Sequence, residues 1–446
     1  MNDRIINDLE LYKRLLNLNI IANKATNSVK KIKAYIFLKD VFSIAITAYG
    51  GPAMHLALYQ KKLVEEKKYL STEELLELYS LAQMLPGPSS TQTLTSIGYK
   101  FGGPLLAFLT LLIWVLPAFL LLTLSAVFIG LFEEQALIYL RYVNPVAVAF
   151  ITVAGIKMIK KSISSKQGYY LAALAFVVSA LLRHPLDTIV NMNTPWIFPI
   201  VLLIGGVISY IGFQGNLPQN DTIKVKIPWK FLITFFLIFI SAGILGKISS
   251  NRFILLFENC YRFGSLVFGG GNVLIPMMLE QYVSHASYMT SEQFINGVGL
   301  VQAIPGPVFT ISSYTGALAM QYKGILPQFL GSLSSTIGIF LPGALLIFFV
   351  YPIWKQIKTH PIVVKALPGV IAASCGLVLA AAYLMFLPVG FNWIDKGSFY
   401  FTNLDTDNLI NIIPISIILV TSFLLMKTNI KSPWYILVAI LAGILF

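Results

Sequence analysis

Charge is what this sequence has least of. Only 11% of its 446 residues are Asp, Glu, Lys or Arg, where soluble domains carry about 25%. With 57% hydrophobic residues and a mean hydropathy of +0.76, the chain cannot hide its apolar surface in a water-soluble fold. Cysteine is nearly absent: Cys260 and Cys375 both sit in apolar stretches, which excludes a disulfide framework and points to buried packing. The 4 histidines form no ligand-like pair, and no Ser-His-Asp or Cys-His constellation or nucleotide-binding glycine loop is present. Hydrolytic, redox and metal chemistry therefore have no carrier, and the chain is not expected to be an enzyme or to need a cofactor or metal. Acidic residues are the scarcer sign, 19 against 32 basic. The lysines and arginines fall in short loops and in the first forty residues, a topology signal rather than a nucleic-acid face.

What is there instead is long apolar runs, several of which approach the roughly 20 residues that cross a hydrocarbon core of about 30 Å. Thirteen segments are expected: 41–60, 73–99, 104–131, 143–159, 168–183, 195–213, 229–246, 253–280, 292–320, 324–351, 361–386, 409–426 and 432–446. No ten-residue alternation of the barrel kind appears, so these are read as helices. The N-terminus lacks the apolar core of a signal peptide. Its Leu9, Leu15, Leu16 and Ile20 fit a short amphipathic helix on the cytoplasmic surface, with a solvated tail as the equal alternative.

An internal repeat organises the chain. AYGGPAMH at 48–55 is echoed by VFGGGNVL at 267–274, and LAQMLPGP at 81–88 by LVQAIPGP at 300–307, both at an offset of 219 residues. Seven crossings separate the first segment from its equivalent. The fold class expected is thus an all-α polytopic membrane protein, with two homologous halves in an inverted-topology repeat and helices broken at the Pro-Gly-Pro motifs. The divisions are 1–35 as a basic cytoplasmic tail, 36–213 and 253–446 as the repeats, and 214–252 as a linker carrying a connecting transmembrane helix. Basic clusters at 157–166, 224–230, 355–365 and 427–431 join the N-terminus in the cytoplasm and place the C-terminus outside. One loop disagrees: Lys61, Lys62, Lys67 and Lys68 fall outside unless the first two segments of each half are re-entrant.

The two breaks carry the functional reading. Pro86-Gly87-Pro88 and Pro305-Gly306-Pro307 interrupt apolar stretches, removing backbone donors and supplying a hinge. Each break frees carbonyls on one side and amides at the start of the next half-helix, here Ser89-Ser90-Thr91, which suits a reversibly bound anion. A plain proline kink is the bland reading; finding the break twice at corresponding positions favours a site. Gln83, Gln302 and Thr310 flank the motifs. Gly50-Gly51-Pro52 and Gly269-Gly270-Gly271, followed by Asn272, either unwind the helix beside the same cavity or simply allow close helix packing. Arg262, seven residues before Gly269, is a fixed cation for an anion or else a snorkelling interface residue paired with Glu258. His55 and Lys100 read more readily as structural.

These paired motifs, each followed by an apolar helix ending near Leu-Pro, resemble the chromate transporter family in its long, two-domain form, from about residue 36 to the end. The match covers Gly50, Gly51, Pro52, Pro86, Gly87 and Pro88, and again Gly269, Gly270, Gly271, Pro305, Gly306 and Pro307. Ser43 stands where such proteins often carry a lysine, while Arg262 keeps a basic residue at the equivalent second-half place. The resemblance implies a multi-pass plasma-membrane protein that moves chromate outward by secondary active transport, with sulfate or a passive anion channel as alternatives. The partners expected are the oxyanion, a coupling proton or sodium ion, the lipid bilayer and a second copy of the chain in a homodimer.

Overall fold

Proline and glycine decide where the helices of this chain stop. The computed structural model describes residues 34–49, 51–131, 139–181, 197–213, 227–268, 271–354, 360–390, 409–428 and 430–445, and among them every regular element is helical. The amphipathic helix expected near residues 9–20 lies outside the described residues, as do Gly50, Gly269 and Gly270.

The first half opens with α1 (34–45), a break, and α2 (Gly51–Tyr59), which continues as a π-helix over Gln60–Glu66. The stretch 41–60, expected as one crossing, is in fact parts of two helices that fold back on each other. Asp40 of α1 meets the Lys67 ammonium at 2.9 Å and accepts from the Tyr69 hydroxyl at 2.7 Å. A second hairpin follows: α3 (Thr72–Met84), the Pro-Gly-Pro turn, and α4 (Ser89–Leu131), whose backbone breaks at Gly102 and Gly103. Lys100 at the end of its return leg reaches Glu74 at 2.6 Å. At 13 residues, α3 is about 20 Å long, well short of a hydrocarbon core. Its start is fixed by a capping box, in which the Ser71 hydroxyl accepts from the Glu74 amide and the Glu74 carboxylate from the Ser71 amide.

The second half repeats this plan. Numbering continues through α5 (Val143–Ser162), α6 (Lys166–Leu181), α7 (Ile197–Ile211) and α8 (Trp229–Ile248). Next come α9 (Arg252–Leu266) and α10 (Gly271–Leu279), the latter again running into a π-helix, Glu280–His285. Arg252 lies over the Tyr288 ring at 4.7 Å and closes that hairpin. The next is α11 (Ser291–Ala303), opened by a capping box of Thr290 and Gln293, then a Pro-Gly-Pro turn and α12 (Ile311–Leu318). Tyr314 donates back to the Gln293 carbonyl at 2.8 Å. Lys68 and Ser287, the described non-glycine residues with positive φ (52° and 49°), are themselves 219 positions apart. The turns after the π-helices therefore share an unusual backbone.

Two long helices connect these hairpin pairs. The segment of α4 from Pro104 to Leu131 and α13 (Ile325–Val350) lie against each other, with Phe119 on Phe329 at 5.8 Å and Thr123 on Ser332 at 2.5 Å. At one end Phe101 packs tilted against Phe37 and edge-on against Tyr69 of the first hairpin, and Tyr99 meets Tyr351 at 4.9 Å. At the other end Gly130 approaches Gln321 and Gln328. The bases of the two hairpin pairs thus sit at opposite ends of the same long helices.

The remaining helices are α14 (Pro361–Gly390), α15 (Leu409–Lys427) and α16 (Ser432–Leu445). They cross-pack with the first half, α14 on α5, α6 and α7, and α5 on α15 and α16. Gly205 and Gly369 let α7 and α14 approach so closely that a Cβ on Gly205 would lie 2.8 Å from the Gly369 carbonyl oxygen. Small residues at such crossings replace the hydrophobic drive that lipid does not supply. Among the described residues, five helices are long and apolar enough to cross a membrane; the most apolar window of α8 is 11% buried, against 50% to 72% for the other four. Helix α8 is accordingly peripheral, with most of its surface turned away from the protein.

Candidate functional site

The four hairpin tips converge at the centre of the molecule, and each Pro-Gly-Pro turn is tied to the opposite half. Gly87 N–H donates to the Val267 carbonyl at 2.7 Å, and Gly306 N–H donates to the Ala48 carbonyl at 2.8 Å. Both donors and both acceptors are 219 residues apart, so the two bonds are equivalents under the repeat. Gly87 has φ of 116° and Gly306 of 134°, a region closed to most L-residues. A Cβ on Gly306 would also lie 2.7 Å from that of Ala118. The glycines are therefore required by conformation, and the bonds hold one half to the other.

The freed backbone groups are satisfied locally. Gln92 donates its side-chain amide to the Pro86 carbonyl at 2.7 Å, and its backbone N–H to the Pro88 carbonyl at 2.8 Å. Because α4 begins at Ser89, the hydroxyls of Ser89, Ser90 and Thr91 stand in its first turn rather than at the cap. Ser90 pairs with His55 Nδ1 at 3.1 Å, and Thr91 accepts from the Trp114 indole at 3.0 Å. His55 Nε2 lies 3.2 Å from the Ala48 carbonyl, which fixes the tautomer: a carbonyl only accepts, so Nε2 carries the hydrogen and Nδ1 accepts from Ser90. Thr310 is turned onto its own chain, donating to the Pro307 carbonyl at 2.6 Å.

Against the tips lies a cavity of about 790 Å³. Its wall includes Gly51, Pro52, Gln83, Gly87 and Ser89 from the first half, and Gly271 and Gln302 from the second. Gln83 and Gln302 are repeat equivalents facing one space. Pro86, which is half-buried, and the buried Pro88, Ser90, Thr91, Pro305, Gly306, Pro307 and Thr310 do not line it. For Asn272 the backbone is described and the side chain lies outside the described residues.

Three lysines that the sequence marks as topology signals rather than site residues also line the cavity: Lys61, Lys157 and Lys431. Lys157 caps α15 by donating to the Leu425 carbonyl at 2.9 Å. Lys61 belongs to the loop that conflicted with the charge rule, and it shares the cavity with lysines from two loops that obeyed it. That conflict was the available signal. Arg262 is elsewhere. It lines a separate cavity of about 600 Å³ with Glu258, Gln281 and Lys247, and its Nε is bound by Glu258 at 2.8 Å. At the hairpin base, outside the apolar layer, Lys100 and the Ser71 amide hold the Glu74 carboxyl below its usual range.

Hairpin tips meeting beside a cavity of mixed polar and apolar lining, flanked by long apolar helices, fit a multi-pass membrane transporter. The chain belongs to the chromate transporter family, which it matches over residues 36–210 and 254–444. It is 26% identical to a probable chromate transport protein of Synechococcus elongatus, over 80% of this chain and 84% of the relative. It is 24% identical to the chromate transport protein of Cupriavidus metallidurans, over 76% and 79%, and 24% identical to an uncharacterized transporter of Methanocaldococcus jannaschii, over 76% and 80%. No solved structure matches the chain.

Proposed function

We propose that the chain is a gradient-driven exporter of chromate in the plasma membrane, built as an inverted-topology repeat and caught open to the cytoplasm. The observation that carries the reading is the 790 Å³ cavity, where glycine motifs of both halves meet below three lysines. A divalent tetrahedral oxyanion fits this chemistry. Lysines at the mouth raise its local concentration, and the Gly51 and Gly271 backbone with the Gln83 and Gln302 amides offers neutral hydrogen bonds that release it again. In a hydrocarbon setting the four short hairpins are re-entrant, leaving nine crossings: the long part of α4, then α5 to α8 and α13 to α16. Nine is odd, as thirteen was, so the N-terminus remains cytoplasmic and the C-terminus outside. The hairpins also return Lys61, Lys62, Lys67 and Lys68 to the cytoplasm, so every basic cluster obeys one rule.

Chromate flux into inside-out proteoliposomes, under imposed proton or sodium gradients, tests the reading. Saturable uptake that responds to one gradient and is competed by sulfate supports it. Flux linear in concentration makes the protein a channel, and absence of chromate flux removes the function.

A further inference from the structure

The cavity at Arg262 has no part in the pathway described so far. It opens at the opposite end of the molecule from the lysine mouth. Trp229 at the start of α8 meets Phe349 at 6.0 Å near the first-half bases, whereas Lys247 at its other end lines this second cavity with His285 and Tyr288 at the base of the third hairpin. From that base the cavity reaches inward to Arg262, five residues before Val267, whose carbonyl holds Gly87. Five residues of helix rise about 7.5 Å. The two cavities thus approach the layer of hairpin tips from opposite ends.

The guanidinium is held in place. Its Nε donates to Glu258 at 2.8 Å, and one terminal nitrogen donates to Asn259 at 2.7 Å and to Gln281 at 3.2 Å. Helix α8 closes over this arrangement because Gly246 faces Glu258, where a Cβ would lie 3.0 Å from the carboxylate side chain. With Lys247 added, the fixed side chains of the wall carry two positive charges against one negative. A cation oriented by three neighbours in a solvent-reached cavity is a receptor for an oxyanion.

We infer that this cavity is a second oxyanion station, facing outward, which the transported anion occupies on its way between the hairpin tips and the exterior. The inference rests on the transport reading above. Arg262 contacts the anion, Glu258 sets how tightly by competing for the guanidinium, and Lys247 draws the anion in. The cavity at the lysine mouth handles the opposite face, so the two faces of the protein carry separate affinities.

The test is sided chromate transport in proteoliposomes of defined orientation, with half-saturation measured from each face in turn. Arg262→Gln is expected to raise half-saturation at the outer face by about tenfold or more, the size of a lost charged hydrogen bond. The inner face stays within about twofold, and Arg262→Lys recovers part of the loss. Glu258→Gln is expected to do the reverse and lower outer half-saturation. If Arg262→Gln fails to insert, Lys247→Gln and Glu258→Gln still give opposite shifts. Unchanged outer half-saturation in all of them overturns the station, as does equal weakening at both faces. A dependence on anionic lipid in the vesicles, with no shift in chromate half-saturation, also overturns it and makes the cavity a lipid-phosphate site. Absence of wild-type chromate flux is a different result, the failure of the transport reading itself.

Discussion

In the first half the hairpin tips are braced by polar side chains, and in the second half apolar side chains fill the same places. His55, Tyr59 and Ser90 have Leu274, Met278 and Phe309 as their equivalents. His55 bridges Ala48 and Ser90 while Tyr59 donates to the Ser90 carbonyl at 3.2 Å. Leu274 and Phe309 are simply buried in the central apolar cluster. The backbone bonds across the tips are nevertheless the same in both halves. What the duplication keeps is the main-chain meeting of the tips; what it varies is how firmly each pair of hairpins is bound within itself. A buried hydrogen-bonded network rigidifies its members more than apolar packing does, so at these three places the first-half tips are the more firmly braced.

The largest expected effect comes from breaking what the halves share. Gly87→Val and Gly306→Val each put a β-branched residue at strongly positive φ and should abolish chromate flux while protein still reaches the membrane. Gly306→Val should be the less stable of the two, because its Cβ meets Ala118 directly. Flux assays at equal expression, with thermal unfolding in detergent, check both claims.

Making the halves alike should cost less. His55→Leu, which copies the second half, leaves the Ser90 hydroxyl without its acceptor and the brace broken, a loss of about 1–3 kcal/mol. The melting temperature should fall, and Leu274→Met, a near-isosteric exchange in the other half, should change it by under about 1.5 kcal/mol equivalent. Equal shifts for the two would remove the brace as the distinguishing feature.

Smaller still is the effect of charge at the mouth. Lys61→Gln should raise inner-face half-saturation a few-fold and flatten its salt dependence, since the ammonium acts through a screened field. The smallest concerns the exposed Lys100 and Glu74 pair, where Glu74→Gln should cost about 0.5 kcal/mol. Because the carboxyl is held below its usual pKa in the fold, that contribution is present above the unfolded value. It is lost as pH falls through the lowered one, so wild type and variant should converge in stability at acid pH.

The duplication was legible because glycine and proline, which the backbone cannot replace at the tips, kept their identity at an offset of 219 residues. The folding-back of the hairpins was not legible from hydropathy, since residues 41–60 read as one apolar run and the break between α1 and α2 carries no charge. Only the lysines at 61, 62, 67 and 68 betrayed it. Among the residues that line the cavity, Gln83, Gly87 and Gln302 stand out through their motifs, whereas Lys157 and Lys431 do not, because a lysine that marks topology looks the same in sequence as one that lines a mouth. Arg262 was drawn to the glycines by a spacing of seven residues. Its helix turns it toward α8 and Gln281 instead.

The central claim is that equivalent hairpin ends of the two halves face opposite sides of the membrane. Glu65 and Ser284 are exposed equivalents at the ends of the first and third hairpins, and Cys260 and Cys375 are buried. Glu65→Cys and Ser284→Cys can therefore be probed singly with a membrane-impermeant thiol reagent. The account predicts that Glu65→Cys is labelled only in inside-out vesicles and Ser284→Cys only in right-side-out ones. Labelling of both from the same side would contradict the inverted repeat, and with it the two-sided pathway built upon it.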